Sequence, residues 1–305
     1  MSADFDVAAL GEAMLEFNQT RPGEPVYLQG FGGDTSNAVI AAARAGARTT
    51  YLTRLGADKF GDELMQLWAR EAVDTSGVER DPQAHTGIYF VTHGASGHEF
   101  SYLRAGSAAS RMTPAWLPRE LVRRTKILHV SGISLALSAS ARETVFEAMR
   151  LARDAGSQVS LDTNLRLKLW PLDLARECIG RAAALCDVFL PSMEDAIALS
   201  GLDRPAAIVD WSHALGAKHV ALKLGADGAM ASDGARRERI SPRKVQVVDA
   251  TGAGDCFCGN LLARIARGDS FFDAAHFANA AASLAVQGFG AVAPLPYTRD
   301  VEAVL

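Results

Sequence analysis

Short, almost continuously apolar runs alternate along this chain with longer stretches of helical periodicity, and few folds accept that order. Phe5–Leu10 (FDVAAL), Thr49–Leu55 (TTYLTRL), Ile127–Ser131 (ILHVS), Gln158–Asp162 (QVSLD), Asp187–Leu190 (DVFL) and His219–Leu224 (HVALKL) have the length of strands. Their lack of alternation suits strands covered by helices on both faces. Between them Asp58 is placed to cap a helix over Lys59–Val73, Ser138 one reaching Ala155, and Ser270 an Ala-rich one reaching Gln287. Strands alternating with helices predict an α/β fold on a mainly parallel sheet. With 305 residues and no repeat, low-complexity tract or linker, the chain reads as a single domain over 1–305.

Two regions break the rhythm. Residues 12–34 and 86–108 carry alternating, aromatic-bearing segments (MLEFNQ, PVYLQGF, GIYFVT, EFSYLR) separated by turn residues. They read as hairpins that build a small β-sheet over the carboxyl edge of the main sheet, where open α/β folds bind ligands. A lid of this kind exposes strand edges, so pairing between copies, a homo-oligomer through the lid, is expected.

Composition narrows the partners. There are 31 basic and 35 acidic residues, a formal charge of −4, which offers no electrostatic reason to bind nucleic acid or an anionic membrane. No run approaches the ~18 apolar residues of a membrane span. The opening MSADFDVAALGE has acids where a signal peptide has lysines, so a reducing cytoplasm is the expected compartment. Cys178, Cys186, Cys256 and Cys258 form no CxxC pair, and buried thiols are the expected state of Cys256 and Cys258. Small molecules are the partners that remain.

Four segments carry the chemistry. In VVDATGAGDCF (Val247–Phe257) a strand-like run ends at Asp249, a small-residue loop follows, and a helix begins near Gly254. Gly252, Ala253 and Gly254 let backbone N–H groups approach an anion at the positive end of that helix, so phosphate is the natural guest. Asp255 is electrostatically awkward in such a turn unless it takes a proton from an attacking hydroxyl; the plain alternative is a helix cap. Gly32, Gly33, Asp34 and Asn37 open a second helix, where paired glycines and an amide suit a polyhydroxylated substrate; a turn capped by Asp34 or Ser36 is the alternative. In DTNLRLKLW (Asp162–Trp170), Asn164 and Arg166 alternate so that both can face one ligand, and an arginine there suits an oxyanion. KLGADGA (Lys223–Ala229) ends a strand in a glycine turn that a nucleotide can wrap over.

Together, GGDTSNAVIAAARAG (Gly32–Gly46), LGADKFG (Leu55–Gly61) and DATGAGDCF (Asp249–Phe257) resemble the two signature regions of the PfkB (ribokinase-like) sugar kinases, in that family's order and across the whole chain. The resemblance implies a three-layer α/β fold and a mainly parallel central sheet with a small β-sheet lid. It implies Asp255 as catalytic base, Gly252, Ala253 and Gly254 as the anion hole, and Asp249 beside the substrate. GEAM (Gly11–Met14), YLRAGSAASR (Tyr102–Arg111), NLRLKLW (Asn164–Trp170) and QGFGAVAP (Gln287–Pro294) resemble the kinases of 2-keto-3-deoxygluconate within that family. This implies Tyr89, Tyr102 and Arg104 as lid residues for the acceptor. Arg104 and Arg166 would pair with a sugar-acid carboxylate and with phosphate oxygens. ATP would lie along Asn164, Ser192, Lys223, Gly225, Gly228, Gly252, Gly254, Asn279 and Ala282, with Mg2+ held through water by Asp195 or Glu194.

The chain departs from the pattern in three places. Ala250 stands where threonine is usual, which leaves the loop's backbone donors intact. SMED (Ser192–Asp195) replaces Asn-x-x-Glu, and Thr163 replaces a common proline. The expected activity is therefore an ATP-dependent, Mg2+-assisted kinase of the 6-hydroxyl of 2-keto-3-deoxygluconate. The alternatives are a kinase of a neutral sugar or nucleoside (ribose, fructose, adenosine) and a catalytically silent sugar-binding protein. A nicotinamide dehydrogenase would need GxGxxG after the first strand, where the chain reads LGEAM.

Overall fold

A computed structural model describes residues 3–94 and 97–305; positions 1–2 of the N-terminal reading and 95–96 of the second lid segment lie outside the described residues. In chain order the strands are β1 (Phe5–Leu10), β2 (Met14–Gln19), β3 (Tyr27–Gly32), β4 (Thr49–Gly56), β5 (Val73–Asp74), β6 (Val78–Asp81) and β7 (Gly87–Gly94). They continue as β8 (Gly97–Leu103), β9 (Thr125–Ser131), β10 (Gln158–Asp162), β11 (Val188–Leu190), β12 (His219–Lys223), β13 (Ala229–Ser232) and β14 (Arg237–Ile240). The central sheet runs β14-β13-β12-β11-β10-β9-β1-β4-β5, with β6 also on β4. It is parallel except at β12-β13-β14, which are antiparallel.

The apolar runs lack alternation because both faces are covered. On β1, Ala8 and Leu10 enter one core while Val7 and Ala9 enter the cores on the other side. Val220 and Leu222 of β12 likewise separate from Ala221. One face packs the helices Ala139–Asp154 and Leu172–Ala183; the other packs Asp34–Arg44, Ala253–Arg267 and Phe271–Ala285. The caps fall where the side chains predict: Asp58 accepts from Gly61 N, Ser138 from Ala141 N and Ser270 from Asp273 N. All four cysteines are free and buried.

The small sheet has order β3-β2-β7-β8. Each expected hairpin forms, and the two join through β2 and β7, which run parallel with Met14 opposite Gly87 and Glu16 opposite Tyr89. Leu15, Phe17 and Ile88 pack onto the main body, while Met14, Tyr89, Val91 and Tyr102 cluster on the opposite face. The expected strand ending at Asp249 does not form. No neighbouring strand accepts it: Val248 N and Asp249 N both donate to Val286 O, and Val247 and Val248 are 61% and 58% exposed. Among the described residues no helix is long and apolar enough to cross a membrane.

Candidate active site

The carboxyl ends of β1, β9, β10 and β12 deliver Leu10, Ser131, Asp162 and Lys223 to one edge of the sheet. Two helices begin above it. Gly33, at φ 109°, is the N-cap of Asp34–Arg44, and a Cβ there would lie 2.4 Å from the Glu12 carbonyl oxygen, so only glycine turns the chain here. Gly252, at φ 75°, is the N-cap of Ala253–Arg267. Neither helix is capped by a side chain, so the alternative reading of Asp34 or Ser36 as a cap fails; Ser36 Oγ accepts from Trp68 Nε1 at 3.0 Å instead.

Asp255 lies in the first turn of the second helix, facing the first. Asn37 Nδ2 donates to its Oδ2 at 2.8 Å, across 218 residues of sequence. Burial, with the charge of Asp34 beside it, pushes the Asp255 carboxyl up to about 7. Among the described residues Asn37 Oδ1 is buried with no hydrogen-bond partner, which leaves one acceptor unused beside the Asn37–Asp255 pair. Asp34 accepts from Asn164 Nδ2 at 2.9 Å, and burial also raises its carboxyl. Asn164 sits at φ 26°, a strained value that the bond to Asp34 helps to hold.

Beneath the Gly252–Gly254 turn lies a buried pair, of which sequence reading gave a role to Lys223 but none to Asp162. Lys223 Nζ donates to both carboxylate oxygens of Asp162 at 2.8 Å, and Cys258 Sγ donates to Asp162 Oδ2 at 3.3 Å. A Cβ on Gly254 would lie 3.4 Å from Lys223 Nζ. Burial opposes ionisation of both partners, yet the charge of each outweighs it, so Asp162 is held below and Lys223 above the ordinary range. The lysine expected on the nucleotide thus lies under the glycine turn, already paired with Asp162. His129, one strand away, is buried and pushed down to about 4.

The small sheet closes the other side. Tyr89 donates to Glu16 Oε2 at 2.5 Å, and a Cβ on Gly32 would lie 2.3 Å from the Tyr89 hydroxyl. Burial raises both groups, and Asp249 adds to the effect at Glu16. The Tyr89 and Tyr102 rings are 5.8 Å apart, and the Arg104 guanidinium lies 5.7 Å from the Tyr102 ring centre. Arg104 Nη2 meets Glu12 Oε2 at 2.5 Å. Asp249 accepts from Thr251 N and from Gly290 N, both at 2.9 Å, tying the glycine turn to the Gln287–Pro294 segment.

Some expected residues are not drawn in. Asn164 and Arg166 do not share a strand face: residues 163–166 form no strand, and exposed Arg166 donates to the Leu165 carbonyl. Asp195 Oδ2 accepts from Thr163 Oγ1 at 2.8 Å and Leu165 N at 3.1 Å, while Ser192 Oγ caps the helix that carries it. Glu194 is exposed. Among the described residues no cluster of three or more His, Cys, Asp or Glu could hold a metal. Asn279 donates to the Ser241 carbonyl and Ala282 packs at the edge of a core. Gly225 opens a 3-10 turn closed by Gly228 at φ 84°. Sequence reading gave no site role to Glu12, Glu16, Asp162 and Cys258, which the fold brings among these residues; the one local signal was an acid at or just past the end of a buried strand, as at Asp162 and Glu12.

A carboxyl buried in the first turn of a helix whose N-terminal amides are uncapped by any side chain, facing a polar sheet, is the arrangement that phosphoryl transfer requires. The chain matches the description pfkB family carbohydrate kinase over residues 4–298. The chain belongs to this family. It is 34% identical over 303 residues to a 2-dehydro-3-deoxygluconokinase of Bacillus subtilis, covering 97% of this kinase and 93% of that one. It is 35% identical to a 2-dehydro-3-deoxygluconokinase of Thermoproteus tenax, covering 99% and 95%. Fructokinase-1 of Oryza sativa subsp. japonica is 33% identical, with 97% and 96% covered. A solved PfkB protein from Polaromonas sp. JS666 superimposes with a TM-score of 0.89 at 32% identity, covering 98% and 99%. A fructokinase from Vibrio cholerae O395, solved with fructose, ADP and calcium, gives 0.88 at 29% identity, with 97% of each chain covered. The chain therefore has the ribokinase-like fold of a carbohydrate kinase. Among these relatives two are 2-dehydro-3-deoxygluconokinases and two are fructokinases, and an aminoimidazole riboside kinase from Salmonella enterica shares the fold at 28% identity.

Proposed function

We propose that this kinase transfers the γ-phosphoryl group of ATP to the 6-hydroxyl of 2-keto-3-deoxygluconate. The observation that carries the reading is Asp255, held by Asn37 at the Gly252–Gly254 turn, where burial keeps its carboxyl near neutrality. A base with that proton affinity is matched to working pH. Asp255 takes the hydroxyl proton as the sugar oxygen bonds to the γ-phosphorus and the bond to the bridging oxygen breaks, releasing ADP. The amides of Gly252, Ala253 and Gly254, with the charge of Lys223 behind Gly254, stabilise the equatorial oxygens.

Gly32, Gly33, Asp34, Asn37 and Asp249 hold the sugar hydroxyls, and Tyr89, Tyr102 and Arg104 cover the acid end. The sheet over 12–34 and 86–108 acts as a lid of a single domain, excluding water that would compete for the phosphoryl group. Asn164, Ser192, Gly225, Gly228, Asn279 and Ala282 flank the nucleotide, and Arg166 reaches the phosphates by turning from its place on the surface. Asp195 gives only Oδ2 to Thr163 and Leu165, and Glu194 is exposed, so Asp195 Oδ1 or Glu194 would hold the waters of a Mg2+ ion bound with the triphosphate. When bound, that ion neutralises phosphate charge.

A neutral acceptor, fructose, is the second reading. The ion pair between Arg104 and Glu12 supports it, because it leaves little net charge for a substrate carboxylate. The deciding experiment is ADP release with Mg·ATP against 2-keto-3-deoxygluconate, its galactonate epimer, fructose, ribose and adenosine. Selective turnover of the keto-deoxy acids is expected. Turnover of a neutral sugar alone would replace the sugar-acid reading with the second one.

A further inference from the structure

Glu12 is 1% exposed and sits where three crossings into the small sheet converge. It follows β1 and precedes β2; Gly87, at the start of β7, has no room for a Cβ, which would lie 2.9 Å from Glu12 Oε1; and Arg104 and Ser107 follow β8. Its two oxygens are divided. Oε1 accepts from Ser107 Oγ, while Oε2 meets Arg104 Nη2 at 2.5 Å in an ion pair without an aligned hydrogen bond. The Arg104 side chain is only 10% exposed and makes no other ion pair or hydrogen bond among the described residues. Most of its five N–H donors are thus free to meet a ligand.

We infer that Glu12 is a specificity-determining positioning residue: through its split contact with Ser107 and Arg104 it sets how much of the Arg104 charge is offered to the acceptor. The inference rests on the proposed placement of Arg104 at the acceptor. A buried arginine needs a counter-charge when the site is empty. Glu12 supplies it, and Ser107, by holding one carboxylate oxygen, keeps the pair from becoming bidentate and saturating the guanidinium. Acceptor charge preference is therefore a property of the lid root.

Glu12→Gln keeps the shape and an acceptor for Ser107 but removes the charge. It is expected to raise the ratio of kcat/KM for 2-keto-3-deoxygluconate to that for fructose on the order of tenfold, mainly through KM, as for one unscreened charge at close range. In an Arg104→Ala background the same substitution should leave the ratio within twofold. Ser107→Ala frees the carboxylate to engage Arg104 with both oxygens and should move the ratio the other way; it tests the idea even if Glu12→Gln fails to fold. If wild type turns over only fructose, the sugar-acid reading falls, and the ratio is read instead from the inhibition constant of the keto-deoxy acid against fructose. A ratio unmoved by both variants, or moved equally with Arg104 removed, overturns the inference.

Discussion

At the scale of single residues, the proposed mechanism makes the protonation of Asp255 decisive. Asp255→Asn is expected to lower kcat by about 10²–10⁴-fold while leaving nucleotide affinity nearly unchanged, measured by turnover and by calorimetric titration of ATP. Substantial turnover in that variant would take the base role away from Asp255. Because the carboxyl is pushed up to about 7 and must be ionised to accept a proton, kcat/KM should rise with pH through about 7 in wild type. The same shift acts on stability. The native state keeps its proton to higher pH than the unfolded state, whose carboxyl loses it near 3.8, so this group's contribution falls as pH rises from about 4 to about 7. Asp255→Asn should therefore be more thermally stable than wild type at pH 8, with the gain shrinking toward pH 4. A gain that grows on acidification would contradict the assignment. Lys223 has the opposite character: Lys223→Met leaves Asp162 buried without its cation and should cost about 3–5 kcal/mol in denaturant unfolding. Adding Asp162→Asn should recover part of that loss.

At the scale of elements, the site is built by two helices touching. Asn37 and Asp255 meet because Asp34–Arg44 and Ala253–Arg267 pack backbone to backbone at Gly259, where a Cβ would lie 2.1 Å from the Ala38 carbonyl and 2.7 Å from Ala41 Cβ. Nothing flexible can give way there, so Gly259→Ala should destabilise the protein by about 1–3 kcal/mol, as overpacking does. It should also lower kcat by moving Asn37, next to Ala38, off Asp255. A Gly259→Ala variant with wild-type melting temperature and turnover would show that the helix pair adjusts freely. The small sheet obeys a related constraint: its two hairpins join in parallel, so Glu16 and Tyr89 stand side by side although 73 residues apart.

At the scale of the whole molecule, the edge strands of the small sheet, β3 and β8, carry Tyr27, Leu28, Phe100 and Leu103 in the open. An unpaired edge with apolar side chains favours pairing with a second copy. Equilibrium sedimentation at micromolar concentration is expected to show an oligomer, and Leu28→Lys with Leu103→Lys is expected to dissociate it. A monomeric wild type would remove the lid from any role in assembly.

The pattern of apolar runs identified β1, β4, β9, β10, β11 and β12, because a strand buried on both faces has no freedom to alternate. The short parallel strands β5 and β6 were not read, and Val73, expected to end the helix after Asp58, begins β5 while that helix stops at Arg70. Asp58, Ser138 and Ser270 marked their helix starts because capping is a contact between residues two or three apart. The glycine turn before Asp255 was legible for the same local reason. What spacing could not reveal were pairings across long loops: Asn37 with Asp255, Lys223 with Asp162 and Cys258, Arg104 with Glu12. Two expectations failed where local pattern misled. Val247–Asp249 looks like a strand but has no partner strand, and Arg166 looks aligned with Asn164 but lies on a segment without strand geometry. The order of strands and helices is written in neighbouring residues, because periodicity and capping act within a few positions. The charges that surround the base were decided only when the folded chain buried them together and water could no longer screen them.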